Sequence, residues 1–493
     1  MLAGVARDTD FAAEFDIELR ISLNYCASTM TRPITLPALS LVSLFLVAGI
    51  GRAGDWPPTL DTKNPLTQTK DGRVIERYTH GPREAWGYPA SASGEWGYPA
   101  PQETGLQQQN HNSFYVLEPK VPREHAPLCV VLHSANRTGY DYLEFAVLGT
   151  KPDAIGDPGS AITNAPDDFY TLYLNSTNGE WWGWSQLRQS PEYAKNVNMS
   201  PPTDRRVLDT IEWVVTHYNI DRDRIYLCGV SMGGCGTLGI GMPHGDVFAA
   251  ALACVPAGTN YVAYRMGGFA PSPAWDASQA EREAWMKRAA GVGLPDPPVT
   301  LDFSSEADTW SCTEPALLQA AQAGRLPLVL SWGMFGHVGS KNVIGKAPEC
   351  AVALAYPWLE IRKNEAYPVF THASSDNHSP WLNAPAEYDG SGQINAFFRW
   401  KSEEDTPSSF AMQLWIAHPN VPGASMPQSA TVDVTLRRLQ QFKIKPGGSY
   451  TWQVSSNDKP VVSGTNTPDA ANLLTIPHVP LYTSPVELSV KAN

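Results

Sequence analysis

The stretch RIYLCGVSMGGCGTLGIGMPH, residues Arg224 to His244, decides the fold. It opens with an apolar run that is typical of a strand buried on both faces. A run of small residues that is typical of a tightly packed helix follows. Ser231 stands at the junction, with Gly229 two residues before it and Gly233 two residues after it. Glycine is needed at those positions because the strand and helix backbones crowd each other at a sharp turn. The pattern predicts a strand, a tight turn and a helix, with the Ser231 hydroxyl at the carboxyl edge of a sheet.

Strands and helices alternate around this stretch from Ser113 onward. The segment Thr203–Ile220 carries apolar residues at the spacing of one helix face, and Glu314–Arg325 is a second predicted helix. Alternating strands and helices indicate an α/β domain with a mostly parallel sheet flanked by helices. The short apolar runs that predict its buried strands are SFYVLEP, LCVVLH, TLYLN, RIYLCGV and LPLVLSW.

Predicted helices stop near residue 351. About seven short strand-like segments follow, separated by turns rich in Pro, Gly, Asn and Asp, which predicts a β-sandwich. We therefore expect the α/β domain over residues 113–350 and a C-terminal β-sandwich domain over residues 351–493. Residues 55–112 are expected to form an extended Pro- and Gly-rich lead-in, which contains the near-repeat EAWGYPA and GEWGYPA.

The amino-terminal segment has the pattern of a secretion signal. The apolar run Ile34–Ile50 is shorter than the roughly 20 residues that a stable membrane span needs, and small residues follow it. Residues 1–29 contain several acids, which do not suit the start of a signal. We expect the true start at Met30, a signal peptide over residues 30–54 and a secreted or periplasmic mature protein. The alternative is a cytoplasmic protein with an apolar amino-terminal helix.

Charge and cysteine spacing exclude several classes of function. The net charge is −13 and no basic run occurs, so binding to nucleic acid or anionic lipid is not expected. The cysteines form no CxxC pair, and neither an HExxH motif nor a phosphate-binding loop is present. We expect no metal and no organic cofactor. Cys312 and Cys350 could form a disulfide in an oxidising compartment.

The segment YNIDRDRIYLCGVSMGG, residues 218–234, resembles the α/β-hydrolase superfamily. It is similar to the secreted esterase branch with feruloyl esterases, polyhydroxyalkanoate depolymerases and prolyl-oligopeptidase-like esterases. The Asp-x-x-Arg-Ile-Tyr lead-in from Asp221 and the Ser-Met-Gly-Gly turn carry the resemblance, which covers about residues 113–345. It implies an α/β-hydrolase fold and Ser231 as nucleophile, followed along the chain by an acid and then by a histidine.

Two predicted strand ends supply the acid and the histidine. Asp308 follows the strand in PPVTLDFSSEADTWS, and His337 follows the next strand, LPLVLSW. We expect Asp308 to orient His337, and His337 to act as the general base and acid for Ser231. Glu306 is a neighbouring carboxylate that could replace Asp308, although a solvated loop charge is the simpler interpretation.

A rival arrangement uses Asp376 as the acid. Asp376 and His378 follow the predicted strand AYPVFTHASS, but they are too close in sequence to occupy two successive strand ends. The base would then have to be His418, which lies in the predicted sandwich.

The resemblance also implies two backbone donors for an oxyanion. One is the N–H of Met232, and the other lies in the loop after the strand LCVVLH, where Ser134 is the candidate. Relatives usually carry glycine after the histidine of this loop, whereas this chain carries Ser134 after His133.

Tryptophans are candidate substrate-binding residues around the predicted cleft. Trp182 and Trp184 lie on the loop after the strand TLYLN, and Trp310 lies two residues from Asp308. Their rings could stack on sugar or aryl groups, and core packing is the alternative role. For Trp332 we expect core packing.

These features together predict a serine hydrolase that cleaves carboxylic esters through a Ser-His-Asp triad and an acyl-enzyme. The substrate would be an ester, and a polymeric one such as a plant polysaccharide ester or a polyester is compatible with the second domain. Two alternatives stay open: a prolyl-oligopeptidase-like peptidase, and a non-catalytic polysaccharide-binding protein.

Overall fold

The computed structural model describes most of the chain from residue 56 onward. The described residues are 56–62, 69, 72–80, 113–134, 137–143, 165–176, 181, 202–256, 295–306, 308, 314–335, 337, 348–377 and 390–493. The predicted signal peptide, the EAWGYPA and GEWGYPA near-repeat, and Cys312 lie outside them. Within the described ranges, no helix is both long and apolar enough to cross a membrane.

A large mixed sheet forms the centre of the molecule. Its order is β1-β2-β3-β5-β4-β6-β7-β8-β9-β11, and the pairs from β5 through β9 are parallel. Its strands are β1 (Thr59–Leu60), β2 (Ile75–Thr79), β3 (Ser113–Leu117), β4 (Leu128–Leu132), β5 (Tyr170–Tyr173), β6 (Ile225–Val230), β7 (Ala250–Cys254), β8 (Val299–Ser305), β9 (Leu328–Gly333) and β11 (Gly392–Ile394).

Helices cover the sheet where their apolar stripes meet it. The described helices are α1 (Gly139–Leu143), α2 (Pro202–His217), α3 (Met232–Gly236) and α4 (Glu314–Gly324), with a π-helical turn over Thr237–Gly241 continuing α3. Val207, Ile211 and Val214 of α2 pack against Val130 of β4 in one buried cluster. Cys129, which precedes Val130 on β4, points to the opposite face, as the two-residue repeat of a strand requires.

Most of residues 367–493 form two packed antiparallel sheets, which agrees with the predicted β-sandwich. One sheet has the order β10-β14-β17 and the other β12-β13-β18-β15-β16. On β13 every second side chain, from Phe410 to Ile416, is buried. The strands are β10 (Tyr367–Thr371), β12 (Phe398–Asp405), β13 (Ser409–Ile416), β14 (Ser429–Arg437), β15 (Tyr450–Ser456), β16 (Lys459–Asn466), β17 (Thr475–Tyr482) and β18 (Val486–Ala492).

The large sheet extends past the range 113–350 at both ends. β1 and β2 come from the segment expected to be an extended lead-in, and β2 pairs with β3 in an antiparallel register. β11 comes from the range assigned to the sandwich and pairs with β9. Neither β2 nor β11 has the long apolar run that marks the central strands. Their place in the sheet is therefore decided by strand pairing and not by local sequence.

Two arginines bind the sandwich to the large sheet. Arg437 Nη1 lies 2.9 Å from Asp296 Oδ1, just before β8. The buried Arg438 guanidinium lies 4.8 Å from the Tyr367 ring centre and donates to main-chain carbonyls, including that of Ala249. The sandwich therefore braces the sheet directly.

The suggested partner of Cys350, Cys312, lies outside the described residues. Cys350 is a free, buried thiol in the structure. It packs beneath the end of β9, where a Cβ atom added to Gly333 would come within 2.8 Å of the Cys350 Cβ. This position fills space under β9, and burial raises the pKa of the thiol to about 12.

Candidate active site

Ser231 occupies a strained turn between β6 and α3. Its backbone angles are φ 57° and ψ −119°, which a non-glycine residue rarely adopts. The Ser231 N–H donates to the carbonyl of Cys254 at 2.8 Å, and the Ser231 carbonyl accepts from Cys235 N–H at 2.9 Å. The first bond fixes the turn to the end of β7 and the second starts the helix. The predicted strand, turn and helix are thus present.

The two glycines around Ser231 are required by contact with neighbouring backbone. A Cβ atom on Gly229 would lie 2.4 Å from the carbonyl of Gly233. A Cβ atom on Gly233 would lie 2.0 Å from the Leu132 oxygen of β4. Both distances are far inside van der Waals contact. The turn can therefore sit against β4 only with glycine at both positions.

Three side chains from three strand ends meet at this edge of the sheet. His337 Nε2 lies 2.7 Å from Ser231 Oγ, and His337 Nδ1 lies 2.7 Å from Asp308 Oδ2. The Asp308 and His337 side chains are 4% and 14% exposed. The structure brings together the predicted serine, histidine and acid in the order serine, base, orienting carboxylate.

The loops after β8 and β9 are bound to each other, which places the acid and the histidine. Phe335 N–H donates to Ser305 Oγ at 3.1 Å, and Glu306 N–H donates to the carbonyl of Gly333 at 3.1 Å. The Asp308 N–H donates to the Ser305 carbonyl at 3.2 Å, which closes a tight turn. Parallel pairing of β8 with β9 thus sets the spacing of Asp308 and His337.

Of the rival residues, His378 lies outside the described residues, and the others have partners of their own. Asp376 Oδ1 accepts from Asn395 N–H at 2.9 Å and so anchors the turn after β11. His418 is exposed, and its Nδ1 accepts from Asn420 N–H at 3.0 Å. The carboxyl of Glu306 lies beside Gly390. Asp308 is the acid that contacts His337.

One of the predicted oxyanion donors is well placed and the other is already engaged. Met232 is the first residue of α3, where a backbone N–H has no partner within the helix. The N–H of Ser134 donates to the Tyr142 hydroxyl at 3.2 Å. An oxyanion could use the Ser134 N–H only by displacing that hydroxyl, which sequence reasoning did not anticipate.

His133 shapes the loop that carries Ser134. Its Nε2 accepts from Ser176 N–H at 2.9 Å, so its proton lies on Nδ1, 2.8 Å from the Ser134 carbonyl. Burial lowers the pKa of His133 to about 4, which keeps the ring neutral. Trp181 Nε1 donates to the His133 carbonyl at 2.8 Å. The ring therefore has a structural role, as expected.

The predicted aromatic walls lie largely outside the described residues. Trp182, Trp184 and Trp310 are all beyond them. Trp332 is fully buried in a cluster with Leu317 and Leu330, in agreement with its expected core role.

Two buried acids beside the site were missed from the sequence. Asp302 on β8 and Glu314 at the start of α4 are both fully buried. Ser304 Oγ donates to Asp302 Oδ1 at 2.8 Å, while Asp302 Oδ2 and both Glu314 oxygens have no hydrogen-bond donor among the described residues. Burial raises the pKa of Asp302 to about 7. Burial also raises the pKa of Glu314 well above its usual range, and the nearby Asp302 and Asp308 charges raise it further. Alternating polar residues in VTLDFSS were the available signal.

Metal ligation has no candidate in the described part of the chain, where no three His, Cys, Asp or Glu side chains cluster at ligand spacing.

The chain has the α/β-hydrolase fold, as its strand order and the strand–turn–helix at Ser231 show. A β-sandwich is added at the carboxyl end. Comparison with known protein families and with curated proteins finds no match.

Solved structures with partial similarity include hydrolases of several kinds. An S-formylglutathione hydrolase from Staphylococcus aureus is 14% identical, with 46% of this chain and 83% of that chain covered at a TM-score of 0.29. An acetyl xylan esterase from Aspergillus awamori is 15% identical, with 46% and 89% covered at a TM-score of 0.30. An acylaminoacyl peptidase from Pyrococcus horikoshii is 15% identical, with 46% and 35% covered at a TM-score of 0.29. These overlaps are low, so the fold is identified from strand order and the serine turn.

Proposed function

We propose that the protein is a serine hydrolase that cleaves carboxylic esters. The observation that carries this proposal is the pair of 2.7 Å contacts that joins Ser231, His337 and Asp308. A serine hydroxyl becomes a nucleophile only when a base takes its proton, and the base needs a carboxylate to hold its tautomer and orientation. The strained backbone at Ser231 presents the hydroxyl for that purpose.

The reaction follows from these contacts. His337 Nε2 accepts the Ser231 proton as Oγ attacks the ester carbonyl, and Asp308 stabilises the resulting imidazolium. The Met232 N–H and the amino end of α3 face the negative charge that develops on the carbonyl oxygen. His337 then returns the proton to the departing alcohol. Water, activated by the same histidine, releases the acid from the acyl-enzyme.

The cellular location and the size of the substrate belong to the same proposal. The signal-like segment over residues 30–54 supports export to the periplasm or the medium. The sandwich provides a large second surface, which favours a polymeric ester such as a plant polysaccharide ester or a polyester. The acyl group is to be found with a panel of acetyl, feruloyl and hydroxyalkanoyl esters.

Labelling with a fluorophosphonate tests the mechanism. The purified protein is treated with the reagent and the adduct is mapped by mass spectrometry. We expect an adduct on Ser231 that is absent from Ser231→Ala and slowed by at least about a thousandfold in His337→Ala. A well-folded protein that takes no label would contradict the hydrolase mechanism, and the polysaccharide-binding alternative would then account better for the chain.

A further inference from the structure

A cleft far from Ser231 lies between the segment that precedes β10 and the strands β12 and β13 of the sandwich. It has a volume of about 210 Å³ and is lined in part by Tyr356, Glu360, Glu365, Arg399, Trp400 and Trp415. We call it the Arg399 cleft. Ile361 also lines it, and the Ile361 carbonyl accepts from the Tyr226 hydroxyl near the start of β6. Ser231 follows the other end of β6, so the two sites lie at opposite edges of the sheet.

The guanidinium of Arg399 is fixed in this cleft. Arg399 is 8% exposed, and its guanidinium carbon lies 4.0 Å from the ring centre of Tyr356. Its Nη1 donates to the carbonyls of Ala396 and Phe398, each at 2.9 Å. These contacts hold the plane of the group and use both hydrogens of Nη1, so the side chain is ordered before any ligand arrives.

Among the described residues, no carboxylate neutralises the charge of Arg399. In the part of the chain that the structure describes, no carboxylate forms an ion pair with Arg399 and no carbonyl or carboxylate accepts from its Nε or Nη2, although the Tyr356 side chain interacts with the guanidinium. A buried positive charge without a carboxylate is costly unless something else satisfies it. The Nε and Nη2 edge of a guanidinium matches the two oxygens of a carboxylate, which it binds through two parallel hydrogen bonds.

The neighbours of Arg399 indicate what carries the carboxylate. Trp415 is directly opposite Arg399 in the β12–β13 pairing and points to the same face of the sheet. Trp415 is partly exposed, so its indole is available as a stacking surface. A ligand that uses both groups must therefore carry its carboxylate on a flat or cyclic body about one ring in size.

The rim of the cleft favours a sugar ring as that body. Glu360 and Glu365 are exposed and line the cleft, where their carboxylates can accept hydrogen bonds from hydroxyl groups. An aryl acid brings no such hydroxyl donors, so it cannot use the rim in this way. The volume is below the range of about 300 to 1,000 Å³ for drug-sized ligands, so a single ring fits and the rest of a chain would lie outside.

We propose that the Arg399 cleft is a binding site for a uronic acid residue of an acidic polysaccharide. The carboxylate pairs with the Arg399 guanidinium, the sugar ring stacks on Trp415, and the hydroxyls donate to Glu360 and Glu365. This site is independent of the hydrolase proposal, because it contains none of the residues around Ser231.

Titration calorimetry of the full chain tests the site with four kinds of probe. They are sodium glucuronate and sodium galacturonate, glucuronamide, glucose, and benzoate. We expect at least one uronate to bind with a dissociation constant on the order of 1 mM. Glucuronamide, glucose and benzoate should each bind at least about tenfold more weakly, because each lacks the charge or the hydroxyls.

Variants assign the binding to this cleft. Trp415→Ala should weaken uronate binding by about tenfold or more, and Arg399→Lys should abolish the preference for uronate over its amide. Gln413→Ala, two residues along the same face of β13 and outside the cleft, is the matched control and should bind as the unaltered protein does. Thermal unfolding checks that each variant is folded. If Arg399→Lys does not fold, Trp415→Ala still tests the proposal.

Three results would overturn the proposal. The first is that neither uronate binds. The second is that the amide or glucose binds as tightly as the uronates, which would remove the role of Arg399. The third is that benzoate binds as tightly, which would assign the cleft to aryl acids instead.

Discussion

Replacing Asp302 with asparagine should make the stability of the protein less sensitive to pH. Asp302 is fully buried, accepts one hydrogen bond from Ser304 and has its pKa raised from 3.8 to about 7 by burial. In the unfolded chain the same carboxyl ionises near pH 4. Between these values the folded state holds one proton more than the unfolded state, so the free energy of unfolding falls as pH rises.

The size of the effect follows from the two pKa values. Each unit of difference corresponds to about 1.4 kcal/mol, so the shift from 3.8 to about 7 costs about 4 kcal/mol once the pH is above 7. Between pH 5 and pH 8 the loss is about 3 kcal/mol, because part of it has already occurred at pH 5. Asparagine has nearly the same shape and no charge, so Asp302→Asn lacks this loss.

Denaturant unfolding of both proteins at pH 5 and pH 8 measures the difference. The stability of Asp302→Asn relative to the unaltered protein should rise by about 3 kcal/mol from pH 5 to pH 8. Any cost of burying the amide is independent of pH and cancels in this comparison. Glu487→Gln, at an exposed position on β18, is the control and should show no such rise. A relative stability that is equal at both pH values would mean that Asp302 is ionised in the folded protein, and the reasoning would be refuted.

Three further predictions concern the triad, the serine turn and the docked sandwich. In His337→Ala and in Asp308→Asn, kcat/KM for an activated ester should fall by about 10⁴-fold, since each change removes a 2.7 Å contact of the triad. Thermal unfolding should be unchanged in both variants. A fall in kcat/KM of less than about tenfold would exclude that residue from the mechanism. Gly233→Ala should destabilise the fold by about 3 kcal/mol or more in denaturant unfolding, because the added methyl would lie 2.0 Å from the β4 backbone. Gly241→Ala is the control and should cost less than about 1 kcal/mol, because its methyl would lie 3.3 Å from the end of the Leu227 side chain. Arg438→Met should lower the free energy of unfolding by about 3 kcal/mol, because the carbonyls of Ala249 and Pro297, just before β7 and β8, lose their donor. An unchanged value would show that the sandwich does not brace the sheet.

The arrangement of Ser231, His337 and Asp308 could be predicted because each of these residues follows a recognisable strand. The run before Ser231 and the glycines around it define a turn with a steric requirement that few other patterns share. Asp308 follows the predicted strand that became β8, and His337 follows the one that became β9. Because β8 and β9 pair in parallel, their carboxyl ends lie at the same edge of the sheet. Sequence order therefore translated directly into neighbourhood in space.

Other parts of the site depend on contacts between segments far apart in the chain. Nothing around Ser134 indicates that its N–H donates to the Tyr142 hydroxyl, since that bond depends on how α1 packs beside β4. Asp302 lies in a predicted buried strand, and what makes it unusual is that no cation among the described residues pairs with its buried carboxyl. Its environment is completed by Glu314, which comes from the next helix.

The sequence by itself determined the class of fold, the serine turn and the two-part organisation of the chain, because these depend on local steric demands and on the repeat of apolar residues. Only the tertiary structure decided the edges of the large sheet, where β2 and β11 are recruited by backbone pairing across long separations. It also decided the docking of the sandwich through Arg438, and the position of Arg399 opposite Trp415 in a cleft. Hydrogen bonds between distant strands and the desolvation of buried charge have no local signature, so they emerge only when the whole chain is folded.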